Sequence, residues 1–115
     1  MKAPDRRRYP RMKQNFQVQV IKSGQNHSLE GMSVDVSLGG AFIKTKKWQS
    51  FKVREKADLA FFLPPAYTGQ TNVVGLQGGA VVTRVDKKTG GIGVRFVKSF
   101  NQFERIQAVD IAANT

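Results

Sequence analysis

Two short groups of polar residues stand out in this sequence because together they could hold a phosphate-bearing ligand. Arg7 and Arg11 form an RxxxR pattern near the N-terminus, and Asp35, Ser37 and Gly40 form a DxSxxG pattern further on. The stretch between Arg11 and Asp35 contains 23 residues. A guanidinium grips phosphate through its planar fork and stacks on a base, whereas carboxylates and hydroxyls hydrogen-bond to base edges. The two groups therefore supply the parts of a site for a small guanine-containing phosphodiester.

The first group is expected to lie on a flexible arm formed by residues 1–13. This stretch carries six basic residues against one acid, a net charge of +5, and contains two prolines. It cannot bury enough apolar surface to order itself. Pro10 biases Tyr9 toward an extended backbone, so Arg7 and Arg11 do not stack one helical turn apart. Four extended residues span up to roughly 13–14 Å, which lets two guanidiniums reach separate parts of one ligand.

The second group is expected at the end of a strand covering residues 29–36. Strict alternation predicts that three apolar side chains of this strand point inward: Met32, Val34 and Val36. Leu38, beyond the strand, is expected to point inward as well. Asp35 and Ser37 would share the opposite, outward face, where the arm could fold over them. Gly39 and Gly40 would permit a positive-φ turn and a close approach of the backbone.

The whole pattern predicts one all-β domain over residues 14–115. Six short strands with glycine-rich turns between them favour a six-stranded antiparallel β-barrel. The tail differs, because apolar residues recur every three positions from Phe100 onward and Asn101 with Glu104 resembles a capping pair. These features predict a short C-terminal α-helix from about residue 101. Within the long segment 72–85, Gly78-Gly79 predicts a bulge or bend.

Composition narrows the possible functions. The chain has 115 residues, no cysteine, one histidine (His27) and a formal net charge of +11. Disulfides and thiolate metal sites are excluded, no acidic pair suggests acid–base catalysis, and no cofactor motif is present, so the expected protein is neither an enzyme nor a metalloprotein. No apolar run is long enough to span a membrane, and the basic N-terminus lacks the apolar stretch of a signal peptide. The default compartment is the cytoplasm.

With these motifs in place, the sequence resembles the PilZ domain family, which is marked by RxxxR followed some twenty to thirty residues later by (D/N)xSxxG. Ala41-Phe42-Ile43 and the later segment Gly91-Ile92-Gly93-Val94-Arg95-Phe96 also resemble the family, so the likeness covers about residues 6 to 106. The resemblance implies a barrel that binds the bacterial second messenger cyclic di-GMP. Carried over by position, Arg7 and Arg11 would hold phosphates and guanine, Asp35 and Ser37 would contact guanine, and Gly40 would shape the turn. Additional contacts are assigned to four further residues: Arg6, Arg8, Gly39 and Arg95.

The leading hypothesis is therefore a receptor in which cyclic di-GMP orders the arm and changes contact with an unidentified downstream protein. Two alternatives remain at this point. A small basic barrel could bind single-stranded nucleic acid, although such sites usually need exposed aromatic residues and most phenylalanines here fall on positions expected to be buried. A ligand-free adaptor with the same fold is the other alternative, and the intact arginine, aspartate and serine positions argue against it.

Overall fold

The computed structural model describes residues 14–25 and 28–106. The predicted arm of residues 1–13 and the end of the predicted C-terminal helix, residues 107–115, lie outside these ranges, as does His27. The regular elements are seven strands and one short helix: β1 (Gln17–Lys22), β2 (Leu29–Val36), β3 (Gly40–Lys44), β4 (Lys56–Leu63), α1 (Pro65–Thr68), β5 (Val74–Asp86), β6 (Gly91–Phe96) and β7 (Glu104–Ile106). Two 3-10 turns, Trp48–Ser50 and Phe100–Gln102, complete the described structure.

Six of the strands close into the predicted antiparallel barrel. Their order is β4-β1-β2-β3-β6-β5, and pairing of β5 with β4 closes the ring. Closure pairs every strand of the ring on both sides, except that the first half of β5 is paired only with β4 within the ring. The core follows the alternation of the strands. Phe16, Val18 and Val20 are buried, whereas Gln17, between Phe16 and Val18, is exposed. The largest fully buried apolar side chains come from five of the six strands: Val18, Val20, Ile43, Leu59, Phe61, Val82 and Ile92.

A bulge in β2 overturns the simple alternation predicted for that strand. The pairing with β3 shifts between Ser33 and Asp35, so Ser33 faces Ile43 whereas Asp35 faces Phe42. An extra residue in one strand rotates the positions that follow it relative to those that precede it. Ser33 is consequently fully buried and Met32 is 46% exposed, the reverse of the prediction for these two residues.

Leu38 was also predicted to point inward, and this too is wrong. Its side chain is 40% exposed. The strand ends at Val36, which is buried as predicted, and the following residues form a turn. Alternation therefore does not extend to Leu38.

The predicted α-helix from about residue 101 is wrong within the described residues. Phe100–Gln102 form a 3-10 turn, and Glu104–Ile106 form β7, which pairs with the Gly75–Gln77 segment of β5. β6 pairs only with the second half of β5, from residue 80 onward. The first half therefore has unpaired N–H and C=O groups on the side away from β4. Pairing of these groups with β7 satisfies them, which explains why the tail is extended there.

Phenylalanine rings from the tail close one end of the barrel. The Phe103 ring centroid lies 4.9 Å from that of Phe96 and 6.0 Å from that of Phe61, and Phe100 lies 5.2 Å from Phe61. A Cβ at Gly78 would stand only 2.6 Å from the Phe103 ring, so that ring occupies the space a side chain at Gly78 would take. The apolar side chains at this three-residue spacing thus close the end of the barrel and do not form one face of a helix.

We expect Phe103→Ala to lower the free energy of unfolding by about 3–5 kcal/mol, because it removes a buried ring and leaves a cavity opposite a glycine. Urea denaturation followed by circular dichroism measures this change. Val97→Ala is the control, since Val97 is 64% exposed. Equal losses in the two variants would show that the tail does not plug the barrel.

Candidate functional site

The turn between β2 and β3 is held by the hydroxyl of Ser37. Its Oγ accepts hydrogen bonds from the N–H groups of Gly39 and Gly40, each at 3.2 Å, and donates to the Gly40 carbonyl oxygen at 3.2 Å. The Ser37 N–H also donates to the Gly40 carbonyl oxygen at 2.8 Å. A serine that bonds its neighbours' backbone in this way fixes a turn. Ser37 therefore sets the path of the chain from Asp35 to Gly40.

Gly40 is required by a close approach of two strands. A Cβ there would lie 2.4 Å from the carbonyl oxygen of Val94 in β6. Neither Gly39 nor Gly40 has a positive φ, so the positive-φ turn expected of this pair is wrong, whereas the close backbone approach is confirmed at Gly40. The turn is also tied to β6 and to the tail, because Phe96 N–H donates to Gly39 O and Phe100 N–H donates to Leu38 O, both at 2.8 Å.

Asp35 belongs to a row of side chains across the outer face of the barrel. It pairs with Phe42, whose neighbours Ala41 and Ile43 are both fully buried in the core, so Phe42 and Asp35 point outward. Phe42 in turn pairs with Gly93. The half-buried Asp35 thus stands beside Phe42, which points away from the core but is only 6% exposed.

Arg84 completes this row from β5. It pairs with Gly93, and its guanidinium carbon lies 5.1 Å from the centroid of the Phe42 ring, a cation–π contact. Gly91 in β6 makes room for the Phe42 ring, because a Cβ there would lie only 2.8 Å from it. A Cβ at Gly93 would make an ordinary contact of 3.5 Å with the Arg84 side chain. Sequence reasoning did not single out Arg84, because a second register shift, between Val82 and Arg84, alters the alternation of β5.

The residues just before β1, Gln14 and Phe16, are fastened to β2 by Ser33. The Phe16 N–H donates to Ser33 Oγ at 2.7 Å, and the Ser33 N–H donates to Phe16 O at 2.8 Å. Ser33 Oγ also donates to the carbonyl oxygen of Gln14. The Phe16 ring is buried and packs edge-on against Tyr67 at 4.9 Å. The described chain therefore begins at Gln14 in contact with Ser33, which precedes Asp35 by two residues in β2.

The barrel carries a DxSxxG turn between its second and third strands. The sequence model of the PilZ domain matches this chain over residues 5–109. That match covers most of the chain. The chain belongs to the PilZ domain family. Among curated proteins, none matches it in sequence.

A solved structure of a PilZ protein has the same fold. The Bacillus subtilis inhibitor of motility (MotI/DgrA) superimposes with a TM-score of 0.66 and is 24% identical in sequence. The superposition covers 98% of this chain but only 49% of that protein. The chain therefore spans about half the length of this relative, and the likeness supports the fold.

The structure brings together only part of the predicted PilZ site. Asp35, Ser37, Gly39 and Gly40 lie at the end of β2 and in the turn after it, and Arg95 pairs with Gly40 from β6. Arg95 is exposed. The four predicted arginines of the arm lie outside the described residues: Arg6, Arg7, Arg8 and Arg11.

In residues 14–25 and 28–106 no helix is long and apolar enough to cross a membrane. In the same part of the chain, no three histidine, aspartate or glutamate side chains lie close enough to bind a metal ion together.

We expect Ser33→Ala to lower the free energy of unfolding by about 1–3 kcal/mol, because it leaves the Phe16 N–H without its buried acceptor. Urea denaturation measures the effect. Ser23→Ala is the matched control, since Ser23 lies in an exposed turn. A Ser33→Ala variant as stable as this control would show that the hydroxyl does not fasten the incoming chain.

We expect Gly40→Ala to cost about 1–3 kcal/mol, because the new methyl group meets a backbone oxygen that cannot rotate away, and β3 must move from β6. Gly79→Ala is the control. A Cβ at Gly79 would make ordinary contacts of 3.7 Å with Val97 and 3.8 Å with Asp58. Thermal unfolding should separate the two variants, and equal midpoints would contradict the proposed close approach.

Proposed function

We propose that this PilZ domain is a receptor for cyclic di-GMP and not an enzyme. PilZ domains are binding domains, and the chain has both arginines of RxxxR and all three marked positions of DxSxxG. The observation that carries the proposal is the fastening of Gln14 and Phe16 to Ser33. Because of these hydrogen bonds, the start of the described chain lies next to β2, the strand that carries Asp35.

Distances along the chain support a site made from both motifs. Arg11 precedes Gln14 by three residues, which span at most about 10–11 Å when extended. Asp35 follows Ser33 by two residues, about 7 Å along a strand. The Arg11 side chain can therefore reach the neighbourhood of Asp35 and the turn. Arg7, four residues further away, can reach a second part of the same ligand.

The proposed roles follow from the chemistry of each group. Arg7 and Arg11 bind the phosphates and the faces or edges of guanine, with Arg6 and Arg8 as additional cations. The Asp35 carboxylate accepts hydrogen bonds from guanine N–H groups. Ser37, Gly39 and Gly40 hold the turn against which the ligand lies. Arg95, exposed beside Gly40, adds positive charge at the edge of the site.

The proposed signal is a change in the arm. Cyclic di-GMP is a dianion, and a chain with a net charge of +11 attracts it. Fixing the backbone of each arm residue costs about 1–2 kcal/mol, which ligand contacts must offset. Ligand binding would therefore order the arm over the barrel, and the new surface would alter contact with a downstream protein in the bacterial cytoplasm.

Single-stranded nucleic acid is a weaker candidate for the ligand. Sites for it present exposed aromatic rings on which successive bases stack. Tyr67 is 47% exposed, but its ring is engaged by Phe16, and Trp48 packs against the hydrophobic core. No pair of aromatic rings in the described residues therefore forms an open stacking surface.

We expect Arg11→Ala to weaken cyclic di-GMP binding about 10- to 100-fold, because a charge-assisted contact to phosphate is lost. Isothermal titration calorimetry of the folded proteins measures the affinity. The adenine analogue, cyclic di-AMP, should bind more weakly to the wild-type protein.

Arg105→Ala is the matched control for this measurement. It removes the same group and the same charge from β7, where the Arg105 guanidinium donates to the Gln70 side-chain oxygen at 2.7 Å. This variant should bind like the wild type. Absence of binding by folded wild-type protein, or equal affinity of wild type and Arg11→Ala, would refute the proposed function.

A further inference from the structure

A second concave surface lies on the outer side of the barrel, next to the proposed nucleotide site. We call it the Trp48 groove. Its volume is about 750 Å³, and its main walls are formed by six residues: Leu29, Met32, Lys44, Lys46, Lys47 and Trp48. None of them belongs to the RxxxR or DxSxxG patterns.

The apolar part of the groove consists of side chains that are not fully buried in the core. Met32 is 46% exposed because the bulge in β2 turns it outward. Leu29 and Trp48 are only partly buried against the core. Methionine and tryptophan are both enriched at protein contact surfaces, methionine because it adapts its shape and tryptophan because it buries a large area. The groove therefore offers an unfilled apolar surface.

The loop that carries Trp48 is held in place without a partner. Thr45 is buried, its Oγ1 donates to Glu30 O at 2.8 Å and its N–H donates to Gly90 O at 3.0 Å. Trp48 N–H donates to Thr45 O at 3.2 Å. Gly90 also lies against the Trp48 ring, since a Cβ there would contact it at 3.5 Å. The site is therefore largely preformed, which lowers the entropic cost of binding.

Gly90 can keep this position because the β5–β6 hairpin is tight. Its φ is +70°, a conformation that favours glycine. The N–H groups of Lys88 and Thr89 donate to Asp86 Oδ1 at 3.0 and 3.4 Å. The hydrogen bond from the Thr89 backbone lowers the pKa of Asp86, because it stabilises the charged carboxylate that holds the hairpin.

Positive charge surrounds one side of the groove. Lys44, Lys46 and Lys47 are all exposed. Glu55 is the single acid between residues 44 and 56, and it lies 3.9 Å from the buried Lys22 ammonium and accepts the Lys52 N–H at 3.1 Å. Glu55 is therefore occupied elsewhere. Glu30 is the one carboxylate among the residues that line the groove, and it is exposed, so three lysines face one acid and the rim keeps a net positive charge.

We infer that the Trp48 groove docks an acidic segment of a partner protein that carries an apolar side chain. The apolar side chain would fill the space between Met32 and Trp48, and the acidic groups would pair with the lysines of the rim. Charge complementarity of this kind steers association and selects partners. A membrane surface fits less well, because the apolar residues line a concavity and do not protrude. A nucleic acid has no aliphatic side chain to fill it.

This docking surface is the one that the arm would adjoin, and in that respect the inference rests on the proposed function. Across β1, β2 and β3, the row Gln17, Met32 and Lys44 runs beside the row of Asp35 and Phe42. Met32 therefore lies on the side of the groove that is nearest to Asp35.

The test is a selection of binders from a phage-displayed library of random linear peptides on the immobilised full chain. We expect enrichment of peptides that combine several acidic residues with a large apolar residue. Trp48 is the sole tryptophan of the chain, so its fluorescence reports occupancy of the groove directly. A selected peptide without tryptophan should shift the Trp48 emission to shorter wavelength as the indole loses contact with water.

Two double variants with matched changes locate the binding. Met32→Ser with Lys46→Glu should weaken the selected peptides about tenfold or more. Val97→Ser with Lys98→Glu makes the same kinds of change at an exposed valine and an exposed lysine elsewhere, and should leave the affinity unchanged. Failure to enrich acidic peptides, or equal losses in both variants, overturns the inference.

Binding of phosphatidylglycerol vesicles or of oligo-dT in place of the peptides, with the same dependence on Met32 and Lys46, would also overturn it and reassign the groove. All fluorescence titrations are made without nucleotide. A protein that binds cyclic di-GMP but no peptide contradicts only this inference, whereas one that binds peptide but no cyclic di-GMP contradicts only the proposed function.

Discussion

The hydroxyl of Ser33, buried inside the barrel wall, is the contact on which the arrangement of the candidate site depends. It joins two segments that are distant in sequence, the start of β1 and the middle of β2, by accepting from Phe16 and donating to Gln14. A buried hydroxyl is costly unless it is satisfied, so these bonds also specify one register for the incoming chain. The point at which the chain enters β1 is thereby fixed next to the strand that carries Asp35.

The bulge in β2 has two consequences that belong together. It turns Ser33 into the wall, where the hydroxyl can fasten the N-terminal segment, and it leaves Asp35 outside beside Phe42. It also exposes Met32, which becomes part of the neighbouring groove. One inserted residue therefore separates a structural serine from a carboxylate on the candidate site, although they are only two positions apart. Bulges are frequent near functional sites for this reason.

The architecture was predictable from the sequence, whereas several orientations of side chains were not. Alternation in β1 and the glycine-rich turns indicate a six-stranded barrel, and the DxSxxG motif locates the turn with Gly40. The bulge before Asp35 leaves no signal in the sequence, because a period of two says nothing about where a ladder slips. Arg84 was missed for the same reason. Phe103 was assigned to a helix because a spacing of three suits a helical face as well as a 3-10 turn followed by a strand.

The short strand β7 has a bearing on how the domain behaves in concentrated solution. The Gly75–Gln77 segment of β5 extends past the end of β6 and would otherwise offer its backbone to any extended chain nearby. β7 occupies it with three residues, of which Glu104 and Arg105 are exposed and oppositely charged. Short, charged edges are poor templates for further strand addition. The tail thus acts as a guard against aggregation of a barrel whose remaining strands are all paired on both sides within the described residues.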